Sequence, residues 1–133
     1  MATSERGEVT VTLDGADYSL RPTFEACSKI EELTGKSLLE LAIAAQDNAL
    51  HLKEQAIIVT ECVRAYGKAE GIASLIGVQA TKFGELIFKA GVLGITPRLE
   101  ILLAGAVTGG FNPEEGEDAG EPQAATEEAN AVA

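Results

Sequence analysis

The Asp14-Gly15 pair constrains the fold most, because it joins two short runs of alternating apolar and polar residues. An Asp-Gly pair in this setting is typical of a two-residue type I′ turn, which requires positive φ at both central residues. The turn fixes a β-hairpin register with Leu13 opposite Ala16, Val11 opposite Tyr18 and Val9 opposite Leu20. One face is then apolar and must pack against another element, since an isolated two-stranded ribbon is only marginally stable.

Two helices are predicted directly after the hairpin. Pro22 suits the first turn of the first helix, where its missing N–H costs nothing. The apolar residues that recur at helical spacing there are Phe24, Cys27, Ile30 and Leu33. Gly35 is predicted to end this helix in the left-handed conformation, and Ser37 with Glu40 predicts a capping box that starts the second.

Further helices follow from periodicity and punctuation. The pattern predicts a helix over 52–66 that is closed by Gly67 and contacted on more than one side, and a short helical turn within 68–77. Another helix is predicted over 79–90 with Gly91 as its stop, and Thr96-Pro97 opens the last one. The predicted fold class is mainly α, with an N-terminal β-hairpin packed on four to five short helices.

The last helix has apolar residues around nearly its whole circumference. Two interpretations follow: it is the central helix of the bundle, which we favour, or part of it is a docking surface for another protein. The apolar circumference of this helix also makes a homo-oligomer one of the expected assemblies. The expected partner-binding residues are Leu99, Ile101, Leu102 and Leu103.

Composition divides the chain into three parts. Residues 1–6 are expected to be a flexible N terminus and residues 7–110 to form the hairpin-plus-helices domain. From Glu114 onward the 133-residue chain has seven acidic residues and no basic one, so residues 1–113 carry a net charge of −4 out of −11. Residues 111–133 are predicted to be a disordered acidic tail, because they cannot bury enough apolar surface to offset the entropy of ordering.

Several classes of function are disfavoured. Without a basic patch, nucleic-acid binding is not expected, because that affinity comes from Lys and Arg clusters. Without a long uncharged apolar run, no membrane partner is expected, and we place the protein in the cytoplasm. His51 has no Cys or His partner at metal-ligand spacing, so no metal site is predicted, and no cofactor motif is found.

No catalytic residues are predicted, and the chain is not expected to be an enzyme. It has neither a Walker-type phosphate loop nor a Gly-x-Ser-x-Gly elbow. Cys27 and Cys62 fall on predicted helices and are interpreted as buried, reduced thiols. An enzyme that uses one of these thiols with His51 is kept as a third hypothesis.

An ordered set of motifs covers the first third of the chain. Its members are Arg6–Val9, Leu13–Gly15, Tyr18, Leu20-Arg21, Thr23-Phe24, Ile30–Glu32, Thr34-Gly35 and Ser37-Leu38. In this order they resemble a family of phage and gene transfer agent proteins described as tail assembly chaperones, or as tail tube-associated proteins. From there to Gly110 the likeness is one of general helical layout.

The resemblance implies a chaperone that binds and protects the tape measure protein during tail construction in the producing bacterial cell. Such a protein is absent from the mature particle. The alternative is a structural tail component, such as a tube-associated or connector subunit that contacts the tail tube protein. One hairpin followed by helices favours the chaperone, because tube rings usually depend on extensive β-structure.

Overall fold

The computed structural model describes residues 7–109, which form one β-hairpin, six α-helices and a short 3₁₀ turn. The elements are β1 Val9–Leu13, β2 Ala16–Leu20, α1 Phe24–Thr34, α2 Leu38–Gln46, α3 Leu52–Glu70, α4 Ala73–Ile76, α5 Ala80–Ala90, the 3₁₀ turn Val92–Gly94 and α6 Thr96–Thr108. The predicted fold class is confirmed, and α4 is a single extra turn. The predictions for residues 1–6 and 111–133 lie outside the described residues.

The hairpin forms in the predicted register. Asp14 and Gly15 have φ values of 53° and 78°, as a type I′ turn requires, and all predicted cross-strand pairs are present. Its apolar face is buried, with β1 packed on α6 and α5 and β2 packed on α3. The rings of Tyr18 and of Phe83 on α5 also pack edge to face, with centroids 5.0 Å apart.

The central helix is α3, which packs against α1, α4, α5 and β2. Every residue from Glu54 to Val63 is buried, so the predicted contact on several sides is confirmed. The favoured interpretation of the last helix as the central one is wrong. Helix α6 packs on α2 and β1 and leaves Ile101 and Val107 exposed. Helix α3 is central although it carries more polar residues, and one of these is held by internal partners: the Gln55 side-chain amide donates to the carbonyl oxygen of Val92 and to the Thr96 hydroxyl.

Helix α3 is longer than predicted, because it continues through Gly67 and ends at Gly71, where φ is 70°. Gly67 is buried against α4. A Cβ atom at this position would lie 2.7 Å from the Cβ atom of Leu75 and 3.1 Å from the Ile76 nitrogen. Gly67 therefore permits close packing of α4 and does not end the helix.

The start of α1 also differs from the prediction. Thr23 is the N-cap, and its hydroxyl accepts from the Ala26 N–H at 3.1 Å, so Pro22 lies just outside the helix. The buried residues are Ala26 and Ile30, whereas Phe24 is 89% exposed. The buried face of α1 is therefore centred on Ala26 and Ile30, and Phe24 and Leu33 lie outside it.

The stops and starts between α1 and α2 are as predicted. Gly35 ends α1 with a φ of 72°. The Ser37 hydroxyl accepts from the Glu40 N–H at 3.0 Å, and the Glu40 carboxylate accepts from the Ser37 N–H at 2.8 Å, which completes the capping box.

Arg21 joins the hairpin to the far end of α3. Its guanidinium donates to the buried carboxylate of Glu8, lies 3.2 Å from a Glu70 oxygen and stacks over the Tyr66 ring at 5.2 Å. Its backbone N–H donates to the Cys62 carbonyl at 3.1 Å. These contacts fix the hairpin against the C-terminal half of α3.

Candidate functional site

The four predicted partner-binding residues of α6 do not form one surface. Leu99, Leu102 and Leu103 lie in the hydrophobic core, each at most 2% exposed. Ile101 is 53% exposed and is therefore the member of the set that a partner can reach in this structure.

An apolar groove of about 650 Å³ lies between α3 and α5. Its apolar and small lining residues are Leu52, Ala56, Ile57, Ala80, Gly84 and Phe88. Lys53, Thr81 and Glu85 supply the polar lining. We call this feature the α3–α5 groove.

Small residues create the α3–α5 groove. The two helices run antiparallel, because the Arg64 side chain donates to the Val78 carbonyl just before α5, while Gly84 faces Ala56 nearer the start of α3. A Cβ atom on Gly84 would lie 3.5 Å from the Ala56 Cβ atom. Side chains of this size bring the two backbones together and leave a trough above the seam.

Phe88 forms part of the wall of this trough and is 72% exposed. Burying a phenylalanine side chain contributes about 1.5–3 kcal/mol, so a ring left in water beside an apolar groove favours association with another apolar surface. Phe83 and Ile87 point from the same helix into the core. Helix α5 thus has two apolar faces. The face that carries Phe88 is not covered by other residues of the described part of the chain.

A second, smaller groove of about 260 Å³ lies between α2 and α6. Its exposed apolar residues include Leu39 and Ile43 on α2 and Val107 on α6, with Gln46 and Glu100 among its polar ones. None of the four predicted partner-binding residues lines this groove, although other residues of α6 do, and its volume is smaller than that of the α3–α5 groove.

The third hypothesis pairs a thiol with an imidazole, and the structure keeps the Cys62 thiol apart from the His51 ring. Cys62 is fully buried, and burial holds its pKa well above the usual value; burial, with the Glu31 charge, also raises the pKa of Cys27. A protonated thiol is a poor nucleophile. His51 lies at the start of α3, about 16 Å of helix rise from Cys62, with its side chain 74% exposed. Both cysteines are free, as predicted, but only Cys62 is buried; the prediction of a buried thiol is wrong for Cys27, which is half-buried because its side chain lies at the edge of the packed face of α1.

Within residues 7–109, no group of three or more potential ligand side chains is arranged to hold a metal ion. In the same part of the chain, none of the helices combines the length and apolar character needed to cross a bilayer.

A β-hairpin packed on helices that leave an apolar groove between them defines a small domain suited to binding another protein. The profile of the family described as "Phage tail tube protein, GTA-gp10" matches residues 6–86. This range covers more than half of the chain, which therefore belongs to this family of phage and gene transfer agent tail proteins. No curated protein and no solved structure matches the chain.

The matched range includes the hairpin, all of α3 and the first part of α5, and it therefore contains most of the groove. The resemblance found in the sequence is confirmed at the level of a phage or gene transfer agent tail family.

Sequence reasoning did not identify Ala56, Gly84 and Phe88 as residues that line a groove. The α5 pattern was used to find the buried face that holds Phe83 and Ile87. Phe88 does not lie on that face. An aromatic residue outside the buried face was the sequence feature that could have indicated an exposed apolar surface. Ala56 and Gly84 gave no signal of a groove, because they form it by leaving space empty, and an apolar pattern does not reveal empty space.

Proposed function

We propose that this protein is a tail assembly chaperone that binds the tape measure protein while the tail is being built. The observation that carries the proposal is the α3–α5 groove, with its small-residue floor and the exposed Phe88 wall. Membership of a phage tail family supplies the biological setting.

The groove suits one mode of recognition in particular. An amphipathic helix can lay its apolar face in a hydrophobic groove and present anchors at spacings of three and four residues. A long helical client exposes such stripes until other subunits cover them. A domain with a preformed apolar trough would keep the client soluble during that interval without any chemical step.

The proposal places the protein in the cytoplasm of the producing cell and outside the mature particle. Its partner is the tape measure protein, and release occurs when tail tube subunits take over the covered surface. The smaller α2–α6 groove offers a second contact for a long client or for another copy of the chain.

The second candidate function is a structural tail subunit. The family description, which names a tail tube protein, supports it. Within the described residues the sheet has two strands of five residues each, so an intersubunit sheet would have to grow from these short edges. On this alternative, the apolar grooves are filled by neighbouring subunits of the particle.

Co-expression with the tape measure protein encoded beside this chain tests the first proposal. We expect the client to stay soluble with this chain, to be insoluble without it, and to form a complex at micromolar concentration. Equal solubility in both cases, with no complex, would contradict the chaperone role. Stoichiometric amounts in purified particles would support the structural alternative.

A further inference from the structure

The two walls of the α3–α5 groove carry opposite charges. Lys53 on α3 and Glu85 on α5 are both exposed and both line the groove. Neither side chain has an ion-pair or hydrogen-bond partner among residues 7–109. Other charges close to the core are paired there: the Lys36 ammonium lies 2.7 Å from Glu54, and the Arg64 guanidinium lies 3.1 Å from Glu61.

A helix that lies in this groove with its apolar stripe downward presents one flank to each wall. An acidic flank beside Lys53 and a basic flank beside Glu85 are both attracted. Reversing the direction of the helix exchanges the two flanks and turns both attractions into repulsions. Two unpaired charges of opposite sign therefore select both the charge pattern and the direction of the occupant.

We infer that the groove takes an amphipathic helix of the client with one acidic and one basic flank, docked in a single direction. This inference rests on the proposed function, since it specifies the client segment that the groove accepts. The unpaired charges of Lys53 and Glu85 support the inference, because they specify the charges that the bound helix must present. An apolar groove alone would not specify them.

The chain itself does not offer an equally good occupant in its C-terminal segment or in α2. Residues 110–133 contain no basic side chain, and neither does α2, so nothing in them complements Glu85. The exposed side of α6 carries Arg98 near Ile101. A second copy bound through α6 is therefore the competing occupant that the test must separate.

Three designed helical peptides with the same apolar stripe provide the test: one with an acidic and a basic flank, one with two basic flanks and one with two acidic flanks. Binding to the full chain is followed by fluorescence anisotropy at low salt. The wild type is expected to prefer the mixed peptide by about threefold or more over either of the others, which is the scale of exposed ion pairs.

Charge reversal should move this preference. Lys53→Glu makes both walls acidic, so the peptide with two basic flanks becomes the tightest ligand. Glu85→Lys makes both walls basic, so the peptide with two acidic flanks becomes the tightest. The control variants Lys29→Glu and Glu32→Lys change the net charge equally on α1, which does not line the groove, and should keep the wild-type order.

A photo-cross-linker at the N terminus of the mixed peptide reports its direction. It should label one end of the groove in the wild type and the opposite end in the Lys53→Glu/Glu85→Lys double variant. Labelling of both ends in the wild type would overturn the single direction.

An unchanged order of peptide affinities in all variants would overturn the inference while leaving the co-expression result intact. The absence of peptide binding would also overturn it. A wild-type dimer in sedimentation that Lys53→Glu dissociates, with Lys29→Glu still dimeric, would assign the groove to a second copy.

Discussion

Gly84 faces Ala56 across the seam between α5 and α3, and a Cβ atom added to Gly84 would lie 3.5 Å from the Ala56 Cβ atom. That separation is an ordinary van der Waals contact, so the site accepts a methyl group but leaves no further room at the seam itself. The floor of the groove is thus set by the absence of side-chain volume at two positions on facing helices.

Substitutions at Gly84 should separate folding from binding. Gly84→Ala should raise the free energy of unfolding by up to about 1 kcal/mol, because alanine is the better helix former and its methyl group fits. Gly84→Leu should fold, since its side chain can extend into the open trough, but it should reduce client capture at least tenfold by filling the groove. Circular dichroism and co-purification of the client provide the two readouts. Client capture by Gly84→Leu at the wild-type level would show that the α3–α5 groove does not bind the client.

Gly67 should be intolerant of the same change. A methyl group there would meet the Leu75 Cβ atom at 2.7 Å, so Gly67→Ala should lower the free energy of unfolding by about 1–3 kcal/mol in spite of its better helix propensity. Gly105 is a matched control inside α6, with nothing within 4 Å of an added Cβ atom. Gly105→Ala should be neutral or stabilising by up to about 1 kcal/mol. Urea denaturation measures both, and equal effects of the two substitutions would refute the packing role of Gly67.

The Glu8–Arg21 ion pair should be costly to break from one side. Glu8 is 4% exposed, so Arg21→Met leaves an uncompensated buried carboxylate and should cost about 3–5 kcal/mol. The double variant Glu8→Gln/Arg21→Met should be less destabilised than Arg21→Met alone. Lys68→Met, which removes the exposed pair with Glu25, should cost less than about 1 kcal/mol. A double variant as unstable as the Arg21→Met single variant would show that the charge on Glu8 is not the cause.

Glu54 should make stability depend on pH. Burial acts to raise its pKa, but the Lys36 ammonium at 2.7 Å and the His51 backbone N–H outweigh burial and hold the pKa below its ordinary value. Ionised Glu54 therefore stabilises the fold above the unfolded-state pKa of about 4.3, and this contribution is lost as the pH falls through the lower folded-state value.

Between about pH 7 and about pH 3, the wild type should lose more free energy of unfolding than Glu54→Gln does. Urea denaturation across this range measures the difference. Glu32→Gln, at an exposed residue 3.8 Å from Lys29, should follow the wild type. If Glu54→Gln and the wild type lose stability in parallel, the interactions of Glu54 do not favour its charged form in the folded state.

The elements that depend on local chemistry were predictable from the sequence. The Asp14-Gly15 turn fixes its own register, and the Ser37–Glu40 capping box involves residues three positions apart, so no distant contact decides either feature. The extent of α3 was not predictable in this way. Gly67 resembles a helix stop until α4 is seen to pack against it.

The candidate site was harder to predict for a physical reason. Apolar periodicity locates large side chains that seek burial, so it indicated Leu99, Leu102 and Leu103, which are core residues. A groove is defined by missing volume, here at Ala56 and Gly84, and by which of two apolar faces of a helix remains uncovered. Those properties depend on how α3 and α5 pack against each other.

The most direct test of the central claim is a pull-down of the full chain from cells that are assembling tails, analysed by mass spectrometry beside the proteome of the finished particles. Phe88→Ser and Phe24→Ser are the matched variants, since both phenylalanines are largely exposed, Phe24 lines neither groove, and neither change should impair folding. The account predicts that the wild type and Phe24→Ser retain the tape measure protein, that Phe88→Ser loses most of it, and that the chain is missing from particles. Recovery of the chain in particles at ring stoichiometry, with no tape measure protein in the pull-down, would contradict the account and identify a structural subunit.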